Sequence, residues 1–137
     1  MAFVSVTRLR LRKLRFVPAF FLSAIPINVT AQKWPGNLGV RVLNDRKFTF
    51  WTCTCWDSEQ SMRAFMLAKP HGPAMRKLLE WCDEASTVHW TQDSTELPSW
   101  SEAYTRMQAE GRPSKVNHPS ADQLAYRIAA PKTSANR

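Results

Sequence analysis

The sequence is poor in glycine and cysteine, and its first third contains no acidic residue. Only four glycines occur in 137 residues, and no phosphate-binding glycine loop is present. Three cysteines, Cys53, Cys55 and Cys82, are an odd number and form no disulfide framework, which favours a reducing, cytoplasmic compartment. Cys53 and Cys55 lie two apart on a predicted strand and point the same way. This is poor spacing for a disulfide and a weak metal signal, so we predict no metal site.

The charge is strongly uneven. The chain has 19 basic and 11 acidic residues, a net charge of +8. Residues 1–44 hold seven bases and no acid, residues 45–110 hold seven bases and ten acids, and residues 111–137 hold five bases and one acid. Basic ends suit anionic lipid, nucleic acid or an anionic substrate, but solubility explains them more simply. No nucleic-acid-binding motif accompanies them, so no nucleic-acid partner is expected.

The long apolar stretch near the N-terminus has two possible interpretations, a secretory signal or part of the folded domain. Several basic residues precede Phe16–Ile25, and Val29–Ala31 resembles a cleavage site, which together outline a secretory signal. Residues 2–11, however, alternate as a strand does, and cleavage would remove that strand. The run is too short and too rich in proline, at Pro18 and Pro26, for a membrane span.

Hydrophobic periodicity predicts a β-α-β-β-α-β order. The second helix is capped by Asp57 or Ser58 and interrupted at Lys69–Pro73, and Asp83-Glu84 is predicted to be its solvated end. Pro18 suits the first turn of helix one, whereas Pro26 should kink or end it. The predicted strands are residues 2–11, 38–44, 47–56 and 86–92; the predicted helices are residues 16–33, about 58–82 in two segments, and a short helix after Ser99.

This order predicts an α+β, ferredoxin-like subunit with a four-stranded antiparallel sheet and both main helices on one face. Residues 1–110 form the predicted domain. Residues 111–137 are a basic extension, predicted to wrap over the body or a partner, with a hint of a strand at Leu124–Ile128.

The third predicted strand carries large side chains on both faces. Phe50 and Trp56 fall on one side, and Trp51 falls on the other with two cysteines. A chain this small should leave one face of its sheet bare, so the pattern predicts a homodimer through the sheet face.

Several segments resemble a known family. They are Phe50–Asp57, Met62–Phe65, Gly72–Met75, Leu79–Ser86, His89-Trp90 and Leu97–Trp100. The chain resembles the DUF3291 family, within the dimeric α/β-barrel superfamily of antibiotic-biosynthesis-type monooxygenases. The resemblance covers residues 1–108. It implies a dimeric barrel and a pocket between sheet and helices in each subunit.

That superfamily includes cofactor-independent oxygenases, haem-degrading oxygenases, isomerases and members without activity, so fold alone does not assign chemistry. Haem degraders in it use an Asn on strand one and a Trp and a His on the helix after strand three. Here strand one offers Ser5 and Thr7, the Trp position falls near Ala64 or Phe65, and the His position falls near Met75. The resemblance therefore implies no cofactor, without excluding haem. The Asn-Trp-Tyr cluster of the quinone-forming oxygenases has no placed counterpart.

Candidate site residues follow from chemistry and placement. His71, beside the proline-rich helix break, is the candidate general base or haem ligand. The candidate pocket lining is aromatic and soft, and suits a small apolar or aromatic metabolite; it comprises Trp51, Cys53, Trp56, Phe65, His89 and Trp90. Packing alone also explains most of these residues.

Three functional hypotheses remain. The first is a cofactor-independent oxygenase or isomerase acting on an apolar, ring-containing metabolite, and the second is a non-catalytic dimeric ligand-binding or accessory module. The third, which the resemblance leaves open, is a haem-binding member of the superfamily. The basic run Arg8, Arg10, Arg12 is interpreted as an edge strand kept from aggregating by its charge.

Overall fold

The computed structural model describes residues 1–68 and 71–132 of the chain. A single antiparallel sheet carries helices on both faces. A short 3₁₀ turn at Leu14–Phe16 leads into the first helix. The elements, in chain order, are β1 (Ala2–Leu11), α1 (Val17–Lys33), β2 (Asn37–Asp45), β3 (Thr49–Trp56), α2 (Glu59–Leu67), α3 (His71–Trp81), β4 (Cys82–Gln92), α4 (Trp100–Glu110), β5 (Arg112–Pro113) and α5 (Ala121–Ala125).

The strand order is β2-β3-β1-β4-β5, with antiparallel pairing throughout. The predicted α+β, ferredoxin-like fold is confirmed, and the two-residue strand β5 adds a fifth member to the sheet. Strand β1 is central, so its interpretation as a charged edge strand is wrong. Its two arginines are paired with acids, Arg8 with Glu84 and Arg10 with Asp83 and Glu84. Arg12, which follows the strand directly, pairs with Glu80.

Strand β4 begins four residues earlier than predicted. The Asp83-Glu84 pair is therefore not a solvated helix end, because both residues belong to β4 and Glu84 is buried. The arginines of β1 across the ladder bind these carboxylates, which makes the strand conformation favourable for two acidic residues.

Helix α1 packs along one face of the sheet and continues through Pro26, so the predicted alternative that Pro26 ends the helix is wrong. Pro18 lies in its first turn, as predicted. Pro26 is exposed, so water can hydrate the carbonyl that its missing N–H leaves free. The segment Leu14–Lys33 is long and apolar enough to cross a membrane by length and composition. Its inner face nevertheless packs on the sheet, through residues such as Phe20.

Helices α2 and α3 cover the same face. Ser58 caps α2, as predicted, by accepting the Ser61 N–H at 3.2 Å. The predicted break is shorter than expected, since α3 begins at His71; Lys69 and Pro70 lie outside the described residues.

The opposite sheet face is covered by the chain itself. Trp100, Ala103 and Met107 of α4 pack on this face together with Ile128, and the strand side chains beneath them, including Trp51, are buried. The premise that this face stays bare, from which the homodimer was predicted, is therefore wrong.

The segment after α4 wraps over the body. Ser114, Asn117 and Ser120 donate backbone N–H groups to the carbonyls of Ala85, Leu79 and Asp83. The predicted strand at Leu124–Ile128 is wrong, because the helix α5 ends there. Residues 133–137 of the predicted extension lie outside the described residues.

Candidate functional site

A cavity of about 430 Å³ lies between the helices and the sheet. Strands β1, β2 and β3 form its floor, and α1, α2 and α3 form its walls. Its mouth contains three apolar residues that are also solvent-exposed: Ile25 of α1 is 59% exposed, Val42 of β2 51% and Met75 of α3 42%. A cavity of this size and apolar lining is typical of small-molecule sites.

The walls carry aromatic rings arranged around an apolar interior. Phe20 stacks on Phe50 with centroids 4.7 Å apart, and Phe21 meets Phe50 edge-on at 5.5 Å. At the other end, Trp56 and Phe65 lie 5.4 Å apart. Such surfaces favour a flat, ring-containing molecule.

The floor carries a row of hydroxyls between these rings. Ser5 pairs with Thr54, and Thr7 with Thr52, across the β1–β3 ladder. The Thr54 hydroxyl donates to the Ser5 carbonyl at 3.4 Å and accepts from the Trp56 indole at 2.8 Å. Thr7 and Thr52 also line the cavity. Their hydroxyls can donate a hydrogen bond to a polar group of a ligand or accept one from it.

His71 is the titratable side chain of the cavity. Its Nδ1 lies 3.2 Å from the Met66 carbonyl oxygen. A carbonyl only accepts, so in this contact Nδ1 carries the proton and the neutral ring keeps its lone pair on Nε2. Burial lowers the His71 pKa, an effect that the Met66 contact partly opposes. The ring also packs 4.9 Å from Phe65. His71 is thus a neutral imidazole with one nitrogen available as a base or hydrogen-bond acceptor.

The residues predicted to line a pocket divide between the two sheet faces. Trp56, Phe65 and His71 line the cavity. Trp51, Cys53 and Trp90 do not, because strand alternation turns them into the core beneath α4. His89 also lies outside the cavity, with its ring 5.4 Å from Phe3 and 3.4 Å from the Thr87 hydroxyl.

Sequence reasoning missed the contribution of α1 and of the floor hydroxyls. The available signal for α1 was the absence of charge from Val17 to Gln32, which leaves both faces of the helix apolar. For the floor, the signal was the alternation of side chains along β1, which puts the small polar residues Ser5 and Thr7 on the same face of the strand, the one that lines the cavity.

The three thiols are free and buried. Burial raises the pKa of Cys53 and of Cys82 to about 12, and it also raises that of Cys55. Nowhere in the described part of the chain do three His, Cys, Asp or Glu side chains cluster closely enough to hold a metal ion.

Comparison with known sequences gives one family. The model of DUF3291, a domain of unknown function, matches residues 23–134. No curated protein matches the sequence.

Solved structures share the fold at low sequence identity. A putative antibiotic biosynthesis monooxygenase from Nitrosomonas europaea is 14% identical, with a TM-score of 0.60 over 67% of this chain and 90% of that one. SnoaB, a cofactor-independent oxygenase from Streptomyces nogalater, is 17% identical, with a TM-score of 0.53 over 69% and 95%. Rv0793 from Mycobacterium tuberculosis is 6% identical, with a TM-score of 0.62 over 70% and 100%. At these identities the similarity establishes the fold.

Proposed function

Because this protein belongs to the DUF3291 family, whose name assigns no reaction, we propose from its cavity that it is a cofactor-independent oxygenase. The substrate is an apolar, ring-containing metabolite held between the sheet and α1. His71 is the general base. Similarity to a cofactor-independent oxygenase supports the proposal through the fold.

One observation carries the proposal: His71, whose Nδ1 contacts the Met66 carbonyl and whose Nε2 keeps its lone pair, lines an apolar, aromatic cavity. The Met66 carbonyl fixes the tautomer, as the orienting partner of a catalytic histidine does elsewhere. The lowered pKa keeps the ring unprotonated at neutral pH.

The proposed reaction uses molecular oxygen as its second substrate. His71 Nε2 removes a proton from a ring CH₂ next to a carbonyl, and the resulting carbanion transfers its electrons to O₂. The peroxide that forms on this carbon loses water, so that CH₂ and O₂ become C=O and H₂O. An apolar cavity suits this sequence because it keeps water away from the carbanion.

A second candidate is a non-catalytic binding module. The observation that favours it is that His71 is the sole titratable side chain among the described residues lining the cavity. A site with one base and no acid serves binding equally well, with the Thr7 and Thr52 hydroxyls orienting the ligand.

The cavity is built from one chain, so neither candidate requires a homodimer. Pairing through the sheet face stays a prediction, and it would have to accommodate α4, which covers that face. A cytoplasmic location also stays a prediction, supported by three free thiols.

Two measurements separate the candidates. Binding is measured with 1-anilinonaphthalene-8-sulfonate, whose fluorescence rises in apolar cavities. Turnover is measured as oxygen uptake with anthrone, a ring ketone with an ionisable CH₂. We expect the wild type to bind the dye and consume oxygen, and His71→Gln to bind but lose uptake by a factor of about 100 or more.

The matched control is His89→Gln, since His89 also has a pKa lowered by burial but lies outside the cavity. Uptake should persist in this control. Dye binding without uptake in the wild type would support the binding module instead, and equal uptake in His71→Gln and wild type would eliminate the base. A Soret band in the purified protein would overturn the cofactor-independent scheme in favour of haem.

A further inference from the structure

The outer face of α1 is an apolar surface without cover from the rest of the described chain. Leu22 is 77% exposed, Ile25 59% and Val29 46%, at helical spacing along one side. Pro18 and Pro26 are exposed on the same side. Charged residues normally occupy the solvent side of a surface helix, whereas none occurs here from Val17 to Gln32.

A basic end adjoins this face, formed by Lys13, Arg15, Arg46 and Lys47. All four side chains are exposed, and within residues 1–68 and 71–132 none forms an ion pair. The two segments are joined, because the Leu11 N–H donates to the Phe48 carbonyl at 3.0 Å.

The basic end also presents apolar side chains. Leu14 is 65% exposed and Phe48 is 41% exposed. Phe48 follows Lys47 in a turn where both residues have positive φ, of 59° and 57°. Bulky residues rarely adopt this conformation, so the turn holds an aromatic ring outward at a conformational cost.

We propose that the outer face of α1 and the basic end together dock the protein on an anionic lipid surface. Leu22, Ile25 and Val29 enter the boundary between head groups and acyl chains, and the four basic side chains contact the anionic head groups. The helix lies in the plane of the membrane and does not cross it, because its inner face remains on the sheet.

Charge favours lipid over a second copy of the chain. A symmetric dimer through this surface would bring the basic ends of both copies into one interface, and residues 1–44 contain no acid to offset them. Asp45, the acid beside Arg46 in the sequence, supplies one negative charge against the four basic side chains.

Docking has a consequence for the cavity. Ile25 belongs both to the outer face of α1 and to the mouth of the cavity. The mouth would therefore face the bilayer, where apolar ring compounds concentrate. The proposal itself is independent of the role of His71.

The first test is flotation of the full chain with two kinds of vesicle. One contains phosphatidylcholine and phosphatidylglycerol, and the other contains phosphatidylcholine alone. We expect the wild type to float with the anionic vesicles and more weakly with the neutral ones. The double variant Lys13→Gln/Arg15→Gln should bind the anionic vesicles more weakly than the wild type does. Each lost charge should weaken binding about fivefold, and added salt should act in the same direction.

The second test replaces apolar anchors. Leu22→Ser should weaken vesicle binding about tenfold, since one buried leucine side chain is lost from the lipid contact. Leu124→Ser is the matched control, because Leu124 is also 77% exposed but lies on α5. Its vesicle binding should stay within about twofold of wild type.

Three outcomes would overturn the proposal. The first is a wild type that does not float with anionic vesicles, and the second is an equal loss of binding in Leu22→Ser and Leu124→Ser. The third is a dimer in sedimentation velocity that Leu22→Ser dissociates, which would assign the outer face to a second copy. Both variants change exposed side chains, and circular dichroism checks that they fold.

Discussion

Arg8 on β1 and Glu84 on β4 form a buried ion pair, with Arg8 Nη1 2.8 Å from Glu84 Oε1. The two side chains are 5% and 4% exposed. The second carboxylate oxygen of Glu84 accepts the Ser120 hydroxyl at 2.8 Å, and Arg10 lies 3.4 Å from the same oxygen. This network fastens the segment after α4 to the centre of the sheet, on the face opposite to the cavity.

Breaking this pair should be strongly destabilising. Glu84→Leu leaves Arg8 buried without its counter-charge, and we expect a loss of about 3–5 kcal/mol in the free energy of unfolding. Arg8→Met/Glu84→Leu should recover most of that loss, because the orphaned charge is gone. Urea denaturation followed by tryptophan fluorescence measures both.

Arg63→Met supplies the control for that experiment. It breaks the Arg63–Glu59 pair on α2, whose side chains are 70% and 46% exposed. Solvent screens such a pair, so the change should stay within about 0.5 kcal/mol. A loss in Glu84→Leu no greater than in this control would contradict the importance of the buried pair.

The same network marks where sequence reasoning failed. The alternation of residues 2–11 predicted β1 correctly, but the arginines looked like surface charge because their partners lie more than 70 residues away. Asp83-Glu84 follows a helical stripe directly, and local pattern alone favoured more helix. Only the β1–β4 register shows why two acids belong on a strand there.

The candidate site was only partly predictable, because its position also depends on contacts between distant residues. The period of two on β3 separated Trp56 from Trp51 and Cys53, yet it did not show which face holds the cavity. That choice depends on α4, which fills the face of Trp51. Long-range packing of this kind leaves no local signal in the sequence.

The cysteines should be unreactive in the folded protein. Burial raises the pKa of Cys53 and Cys82 to about 12, so almost no thiolate exists at pH 8. We expect no colour with Ellman's reagent in the native state and three equivalents in urea. Ser101→Cys, at an exposed position on α4, is the positive control. Rapid native labelling of the wild type would refute the buried assignment.

Gly36 should tolerate no side chain. Its φ is +90°, and an added Cβ would collide with the Ser61 hydroxyl and the Asp57 carboxylate. These two groups share a hydrogen bond of 2.6 Å at the start of α2. Gly36→Ala should therefore lower the free energy of unfolding by about 1–3 kcal/mol. Thermal or urea denaturation measures the loss.

Gly39→Ala is the comparison for that variant. The added Cβ would meet only the Leu97 side chain, with its nearest atom at 3.2 Å, and that side chain can shift. We expect a smaller loss than in Gly36→Ala. The reverse order would contradict the steric account of Gly36.

The stability of the protein should fall with pH below the ordinary histidine range, partly through His71. The ordinary pKa of a histidine is 6.5, and burial lowers the pKa of His71 below this value in the folded protein. Below pH 6.5 the unfolded chain therefore binds a proton at His71 that the folded chain does not. The contribution of His71 to stability is therefore complete above pH 6.5 and declines as the pH falls towards its folded value. His89 acts with the same sign, for the same first cause. Urea denaturation across this pH range should show a shallower decline in the free energy of unfolding for His71→Gln than for the wild type. Parallel plots of that free energy against pH would mean that His71 has the same pKa in the folded and unfolded chains.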